Sequence, residues 1–151
     1  MHQTDLSKHI VLYADDDPDD LMLVTEAFNR YANNVKMVTA SDGKEALSFL
    51  ENLSEKDPSP CLIILDINMP RLNGKEALKK IRQINRFQNI PVVLFTTSSF
   101  HADKEFASQH NASFITKPLD VRHLEMIADQ FIDHCSDDIK KNISRNIGQN
   151  I

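Results

Sequence analysis

Cys61-Leu62-Ile63-Ile64-Leu65-Asp66-Ile67-Asn68-Met69-Pro70 is the stretch on which the reading of this chain turns. Five consecutive apolar residues end in a carboxylate. A run so short and so continuously apolar suits a strand covered on both faces, as in a parallel sheet flanked by helices. A membrane span would need roughly 20 such residues, and the other longest run, Ile10 to Ala14, is no longer.

The same pattern recurs on both sides. Ile10 to Ala14, Val35 to Ala40, Val92 to Thr96 and Ser113 to Thr116 read as four more strands. The second alternates apolar and polar residues and so reads as an edge strand. Between the strands the period changes to 3.6. Asp17-Pro18 is an N-cap followed by Pro at the first helical position, ahead of a helix from Asp19 to Ala32 carrying Leu21, Val24, Phe28 and Tyr31 inward. Ser41-Asp42-Gly43 opens a second helix with Ala46, Leu47 and Leu50 on one face. The third runs from Gly74 to Ile84, and the fourth from His101 to His110 with only Ala102, Phe106 and Ala107 apolar. A fifth, from Asp120 to Cys135, turns Leu124, Ile127, Phe131 and Ile132 inward, and Glu55 to Pro60 is a linker loop. Five βα units in succession make an α/β fold with a mostly parallel sheet.

Composition narrows the function. The 151 residues suffice for one hydrophobic core, and a net charge of −5 with no basic block argues against binding nucleic acid. No apolar segment precedes the first strand, so no secretory signal or membrane insertion is expected and the chain is assigned to the cytoplasm. Three glycines leave no Gly-rich phosphate cradle. Two separated cysteines, Cys61 and Cys135, form no CxxC pair and read as buried, inert thiols, and the six histidines show no catalytic or metal-binding spacing.

The residues that follow the strands carry the chemistry. Asp15, Asp16 and Asp17 follow the first strand and Asp66 the third; Thr96-Thr97 closes the fourth, and Lys117-Pro118 follows the fifth. In a parallel sheet these ends share one edge, where ligands of open α/β sheets bind. Asp17 reads as the cap of the first helix rather than a ligand. Carboxylates held close repel one another unless a cation compensates, and an oxygen-only donor set suits a hard ion, Mg²⁺ above all. With the charge of Lys117 and the hydroxyl of Thr96 nearby, the site reads as a receptor for a phosphoryl group on Asp66, the nucleophile.

Ile10 to Pro18, Leu62 to Pro70, Asn73-Gly74, Pro91 to Thr97 and Phe114 to Pro118 together resemble the receiver domain of bacterial response regulators, the CheY-like family, over about Lys8 to Cys135. The resemblance implies a flavodoxin-like three-layer sandwich with strand order 2-1-3-4-5. It implies a stand-alone regulator in two-component phosphorelay signalling that is not an enzyme beyond its own phosphorylation and autodephosphorylation. Asp66 would accept a phosphoryl group from a sensor histidine kinase or a histidine phosphotransfer protein. Asp15, Asp16, Asp66 and the backbone carbonyl of Asn68 would hold Mg²⁺. Thr96 and Phe114 match the switch pair, Lys117 the lysine that meets the phosphoryl group, and Asn68 and Ser98 the positions that tune its lifetime. Phe114 lacks the hydroxyl of a Tyr, and Thr97 stands where the family usually has a small residue. The downstream protein target is not legible. The face of the fourth helix, fifth strand and fifth helix, or the tail, is the expected surface for a homodimer.

Residues 136–151 are too short for an output domain. Ile139, Ile143, Ile147 and Ile151 continue a stripe begun at Ile127, Phe131 and Cys135. Each step of four drifts about 40° around a helix of 3.6 residues per turn, so the stripe must wrap or break. The expectation is a helix packed on this domain, a second copy or a partner, the alternative being a frayed end. Two rival functions use similar residues. A haloacid-dehalogenase-type phosphatase would need an acidic residue where Asn68 stands and an acidic pair after the lysine; the alternative that stays open is a receiver-shaped binding module that is never phosphorylated, against which the intact Asp15, Asp16, Asp66, Thr96 and Lys117 argue.

Overall fold

Alternation along each strand divides the interior in two. In the computed structural model, which describes residues 8–124 and 126–149, Val11 and Tyr13 of β1 (His9–Ala14) face one helical layer while Leu12 and Ala14 face the other. β3 (Leu62–Leu65) and β4 (Val92–Thr96) divide in the same way, Ile64 and Phe95 to one side, Ile63 and Leu94 to the other. β2 (Val35–Ala40) and β5 (Ser113–Thr116) form the edges of an all-parallel sheet of order β2-β1-β3-β4-β5. This is the flavodoxin-like order expected from sequence, and it reverses direction between β1 and β3. That reversal opens the crevice that receives a ligand in such folds.

On one face lie α1 (Pro18–Ala27), α5 (Val121–Leu124) and α6 (Ile127–Ile132), joined by α7 (Asp137–Gln149); on the other lie α2 (Gly43–Glu51), α3 (Gly74–Gln83) and α4 (His101–Gln109). α1 begins where Asp17 accepts the N–H groups of Asp19 and Asp20. α3 begins with a reciprocal capping box between Asn73 and Glu76. Arg82 then ties the far end of α3 to its surroundings, donating to the carbonyls of Phe87, Ile90, His110 and Asn111 at 2.8–3.0 Å.

Two helices depart from the sequence expectation, and the tail follows it. α1 stops at Ala27 rather than Ala32 and tightens into a 3₁₀ turn, Phe28–Tyr31. The tighter winding stacks Phe28 on Phe131 and brings the Tyr31 hydroxyl to Asp129, linkages that a continuing α-helix would carry off-axis. The expected fifth helix, Asp120 to Cys135, is two short pieces, α5 and α6, with Met126 outside helical geometry at φ −102° and ψ 3° although the inward apolar stripe continues on both sides. The isoleucine stripe breaks. The chain turns between α6 and α7, Ser136 Oγ accepts the Ile139 N–H at 3.4 Å, and α7 lays Ile139 and a fully buried Ile143 against the same cluster as Phe131 and Cys135. His9 and Asn142 meet at 3.3 Å, so α7 crosses near the start of β1, away from the strand ends that carry the carboxylates. Ile151 and the side chain of Ile147 lie outside the described residues.

Ile143→Ala is expected to lower the unfolding free energy by about 2 kcal/mol, since it removes most of a buried isoleucine from a packed contact. Urea denaturation checks this, and an unchanged midpoint would mean that α7 does not pack as described. Among the described residues no helix is long and apolar enough to cross a membrane.

Candidate functional site

The polar residues at or just past the ends of β1, β3, β4 and β5 come to the same edge. Asp15, just past β1, is fully buried and accepts hydrogen bonds from Tyr13 Oη at 2.6 Å and from the backbone of Asp17 at 3.0 Å. Asp66, just past β3, is 6% exposed, and the backbone of Asn68 favours its ionised form. Lys117 reaches in from β5, where its backbone N–H donates to the Thr96 carbonyl at 2.7 Å. Its Nζ lies 2.7 Å from Asp15, 2.8 Å from Asp20 and 3.1 Å from Asp66.

Charge in this pocket is unbalanced. Asp15, Asp16 and Asp66 can each turn one oxygen to within 4.8 Å of the others, and Asp20 adds a fourth carboxylate against the single ammonium of Lys117. Burial pushes the Asp66 carboxyl up; Lys117 opposes the rise and Asp15 adds to it, and the net shift is upward. Burial alone would lower the Lys117 ammonium, but its hydrogen bonds to Asp15 and Asp20 outweigh that and raise it. Such a site favours an added cation, and its all-oxygen donors, two of them buried, fit a hard divalent ion.

The structure brings Asp15, Asp16, Asp66 and Lys117 together. Asn68 is exposed two residues beyond Asp66. Thr96 is fully buried at the end of β4, but its Oγ1 is engaged by the Ser98 N–H at 3.3 Å. Phe114 stands apart, half-buried on the α2–α3–α4 side, its ring centre 5.9 Å from Lys104 Nζ. Asp17 caps α1, as its position before Pro18 suggests.

Two participants were not picked out from the sequence. Asp20 lies in the first turn of α1, on the side that meets Lys117, three residues past the Asp17 cap. Tyr13 reads as one more apolar strand residue, and only the structure shows its hydroxyl on Asp15.

Gly74 is what allows α3 to start so close to Asp66. A Cβ at this position would lie 2.0 Å from the Asp66 carbonyl oxygen and 2.8 Å from its carbonyl carbon, both backbone atoms. The helix that follows β3 therefore packs directly on the connection that carries Asp66.

Comparison with known proteins agrees with this architecture. The family model for the response regulator receiver domain matches residues 11–129. FilR2 of Methanothrix harundinacea, a probable methanogenesis regulatory protein, is 32% identical over 123 residues, which span 80% of this chain and 79% of that protein. Response regulator Rcp1 of Synechocystis sp. is 33% identical over 119 residues, 76% of this chain and 80% of its own. The crystal structure of the phosphorylated cyanobacterial phytochrome response regulator RcpA is similar with a TM-score of 0.75 at 28% identity, covering 82% of this chain and 90% of that one. The Mn²⁺-bound form of Rcp1 is similar with a TM-score of 0.73 at 29% identity, covering 81% and 90%. A parallel sheet in this order, with its strand-end carboxylates and lysine gathered at one edge, and a family match over most of the length lead to one conclusion: the chain belongs to the response regulator receiver domain family.

Proposed function

We propose that the chain is a stand-alone, cytoplasmic response regulator whose Asp66 takes a phosphoryl group from a sensor histidine kinase or a histidine phosphotransfer protein. The observation that carries this reading is the buried Asp66 set between Asp15, Asp16 and Lys117. That the similar RcpA is known as a phosphorylated form and Rcp1 as a Mn²⁺-bound form supports it.

In the reaction, a carboxylate oxygen of Asp66 attacks the phosphorus of the donor. The bond from phosphorus to the donor's nitrogen or oxygen breaks, and the leaving group keeps the electron pair. Asp66 becomes an acyl phosphate. Phosphoryl transfer asks the protein chiefly for positioning and charge neutralisation. Lys117, already 3.1 Å from Asp66, is placed to donate to a phosphoryl oxygen. Asp15, Asp16, Asp66 and the Asn68 carbonyl would hold Mg²⁺, which when bound offsets the charge of the carboxylates and the incoming phosphoryl group. Tyr13 orients Asp15 for that role through its 2.6 Å hydrogen bond.

The phosphoryl group adds about −1.5 to −2 charge. It draws the Thr96 hydroxyl away from Ser98, and the space released is offered to Phe114. The face formed by α4, β5 and the α5–α6 segment is then biased toward a second arrangement, which a target protein or a second copy would read. Asn68 and Ser98, at the positions the family resemblance assigns to tuning, would set the lifetime of the phosphoryl group.

Intact mass after incubation with acetyl phosphate and Mg²⁺ tests the reading. The expected result is a gain of one phosphoryl group that disappears in chelator. No gain, and no transfer from a phosphorylated kinase, would leave a receiver-shaped protein that binds without being phosphorylated.

A further inference from the structure

The loop between β4 and α4 is held through a chain of contacts that begins at Thr96 and ends on another helix. Thr96 Oγ1 accepts the Ser98 N–H at 3.3 Å. Ser98 Oγ donates to Asp103 Oδ2 at 2.6 Å and accepts the Phe100 N–H at 3.3 Å. The second oxygen of Asp103 pairs with Lys75 Nζ, from α3, at 2.7 Å.

This is not an ordinary surface ion pair. Asp103 is 9% exposed, and the Lys75 ammonium also stands 5.1 Å from the centre of the Phe106 ring. Partial burial makes such a pair costlier to break than an exposed one, because separation strands a charge. Hydrogen bonds from Lys75 and then Ser98 hold the Asp103 carboxyl below the usual carboxylate range, so it is ionised and engaged on both oxygens. Phe100, at the N-cap of α4, offers no side-chain cap, so the first turn of α4 is tied to the loop through Asp103.

In the proposed switch the Thr96 hydroxyl turns to the phosphoryl group on Asp66, and a rotation about its Cα–Cβ bond that does so would cost Oγ1 its 3.3 Å contact with the Ser98 N–H. The loop must then rearrange or give up that bond. We propose that Lys75, Asp103 and Ser98 form a latch that keeps the β4–α4 loop in its unphosphorylated arrangement. Lys75 and Asp103 thereby act as positioning residues for the Thr96 switch. The proposal rests on the reading of Asp66 as phosphoacceptor. A ligand shifts a two-state equilibrium only by its differential affinity, so weakening contacts made in one state alone lets the other be reached more easily.

The test uses the full chain and beryllofluoride with Mg²⁺ as the phosphoryl mimic, in wild type, Lys75→Met, Asp103→Asn and Lys75→Arg. Amide hydrogen exchange of Ser98 and Phe100 in the free protein is the second readout. Lys75→Met and Asp103→Asn are expected to speed exchange at both amides and to tighten beryllofluoride binding about fivefold, the low end of coupling between sites. Lys75→Arg, which keeps the charge, is expected to stay near wild type in both. Unchanged or weakened binding in both disrupted variants, with wild type binding normally, would overturn the latch. If wild type binds no beryllofluoride and takes no phosphoryl group from acetyl phosphate, the phosphoacceptor reading falls first and the switch coupling with it. Unchanged exchange at Ser98 and Phe100 would overturn the structural part of the latch whatever Asp66 does.

Discussion

Asp66→Asn is expected to abolish phosphoryl uptake and yet to melt higher than the parent protein in chelator. The buried carboxylate lies beside Asp15 and Asp16, and the one ammonium that meets it, Lys117, is shared with Asp15 and Asp20. An amide of the same shape keeps the packing and removes a charge. The sign follows from the upward shift at Asp66: its ionised form is disfavoured by folding, so the parent loses stability as pH rises through the folded-state value and the variant does not. The gap between the two should therefore widen from acid to neutral pH. For a chain of this length each kcal/mol moves the midpoint by roughly 2–4 °C, so calorimetry resolves the difference. Saturating Mg²⁺ should reverse the order, because a ligand bound to the folded state stabilises the parent and the variant has lost one of its oxygens. A variant that melts lower than the parent in chelator would contradict the account of a charge-frustrated pocket.

Gly74→Ala is expected to cost about 3 kcal/mol, at the upper end of ordinary overpacking. Alanine is the better helix former by about 1 kcal/mol in a helix interior, so propensity alone predicts stabilisation. Space decides otherwise. The new Cβ would meet the Asp66 carbonyl at 2.0 Å and approach Ile67 Cα at 3.0 Å, and neither backbone atom can swing aside as a side chain could. The Gly74 N–H is also bonded to the Ile67 carbonyl at 2.9 Å, so α3 cannot retreat without losing the contact that seats it. Relief must come from moving the connection that carries Asp66. Phosphoryl uptake from acetyl phosphate should slow in the same variant under conditions where it remains folded. Urea unfolding within about 0.5 kcal/mol of wild type, with a normal uptake rate, would show that the loop can absorb the methyl group and would remove Gly74 from the site's support.

Much of this arrangement is legible in the sequence, for identifiable reasons. β1, β3 and β4 are continuous apolar runs because both of their faces are covered, and each ends in a polar residue that has no place in the core. Asp15 and Asp66 are therefore assigned to one edge from the sequence, with Lys117 joining them after β5, and the structure sets both carboxylates within 3.1 Å of Lys117 Nζ. The break in the isoleucine stripe was also legible, since a 3.6-residue helix cannot keep seven positions spaced by four on one face. Which surface would receive α7 was not. Ile139 and Ile143 are compatible with any apolar surface, and only the fold shows that they close the base of the α1–α6 layer.

The remainder was hidden because it depends on pairs distant in sequence that leave no periodic trace. Lys75 and Asp103 lie on different helices and look like ordinary solvated charges until α3 and α4 are placed side by side. Ser98 is marked only by the family resemblance, and its bond to Asp103 has no sequence signature. The interruption between α5 and α6 escaped for the opposite reason: the apolar spacing of Leu124, Ile127 and Phe131 fits one helix so well that nothing marks the turn.

The central claim, that Asp66 is the atom-level acceptor, is tested most directly by mapping the modified residue. Wild-type protein would be treated with acetyl phosphate and Mg²⁺, reduced with borohydride so that an acyl phosphate becomes an alcohol, digested and sequenced by mass spectrometry. The account predicts reduction at position 66 alone, absent when the divalent ion is chelated. Reduction at Asp15 or Asp16 instead, or none at any carboxylate, would contradict it.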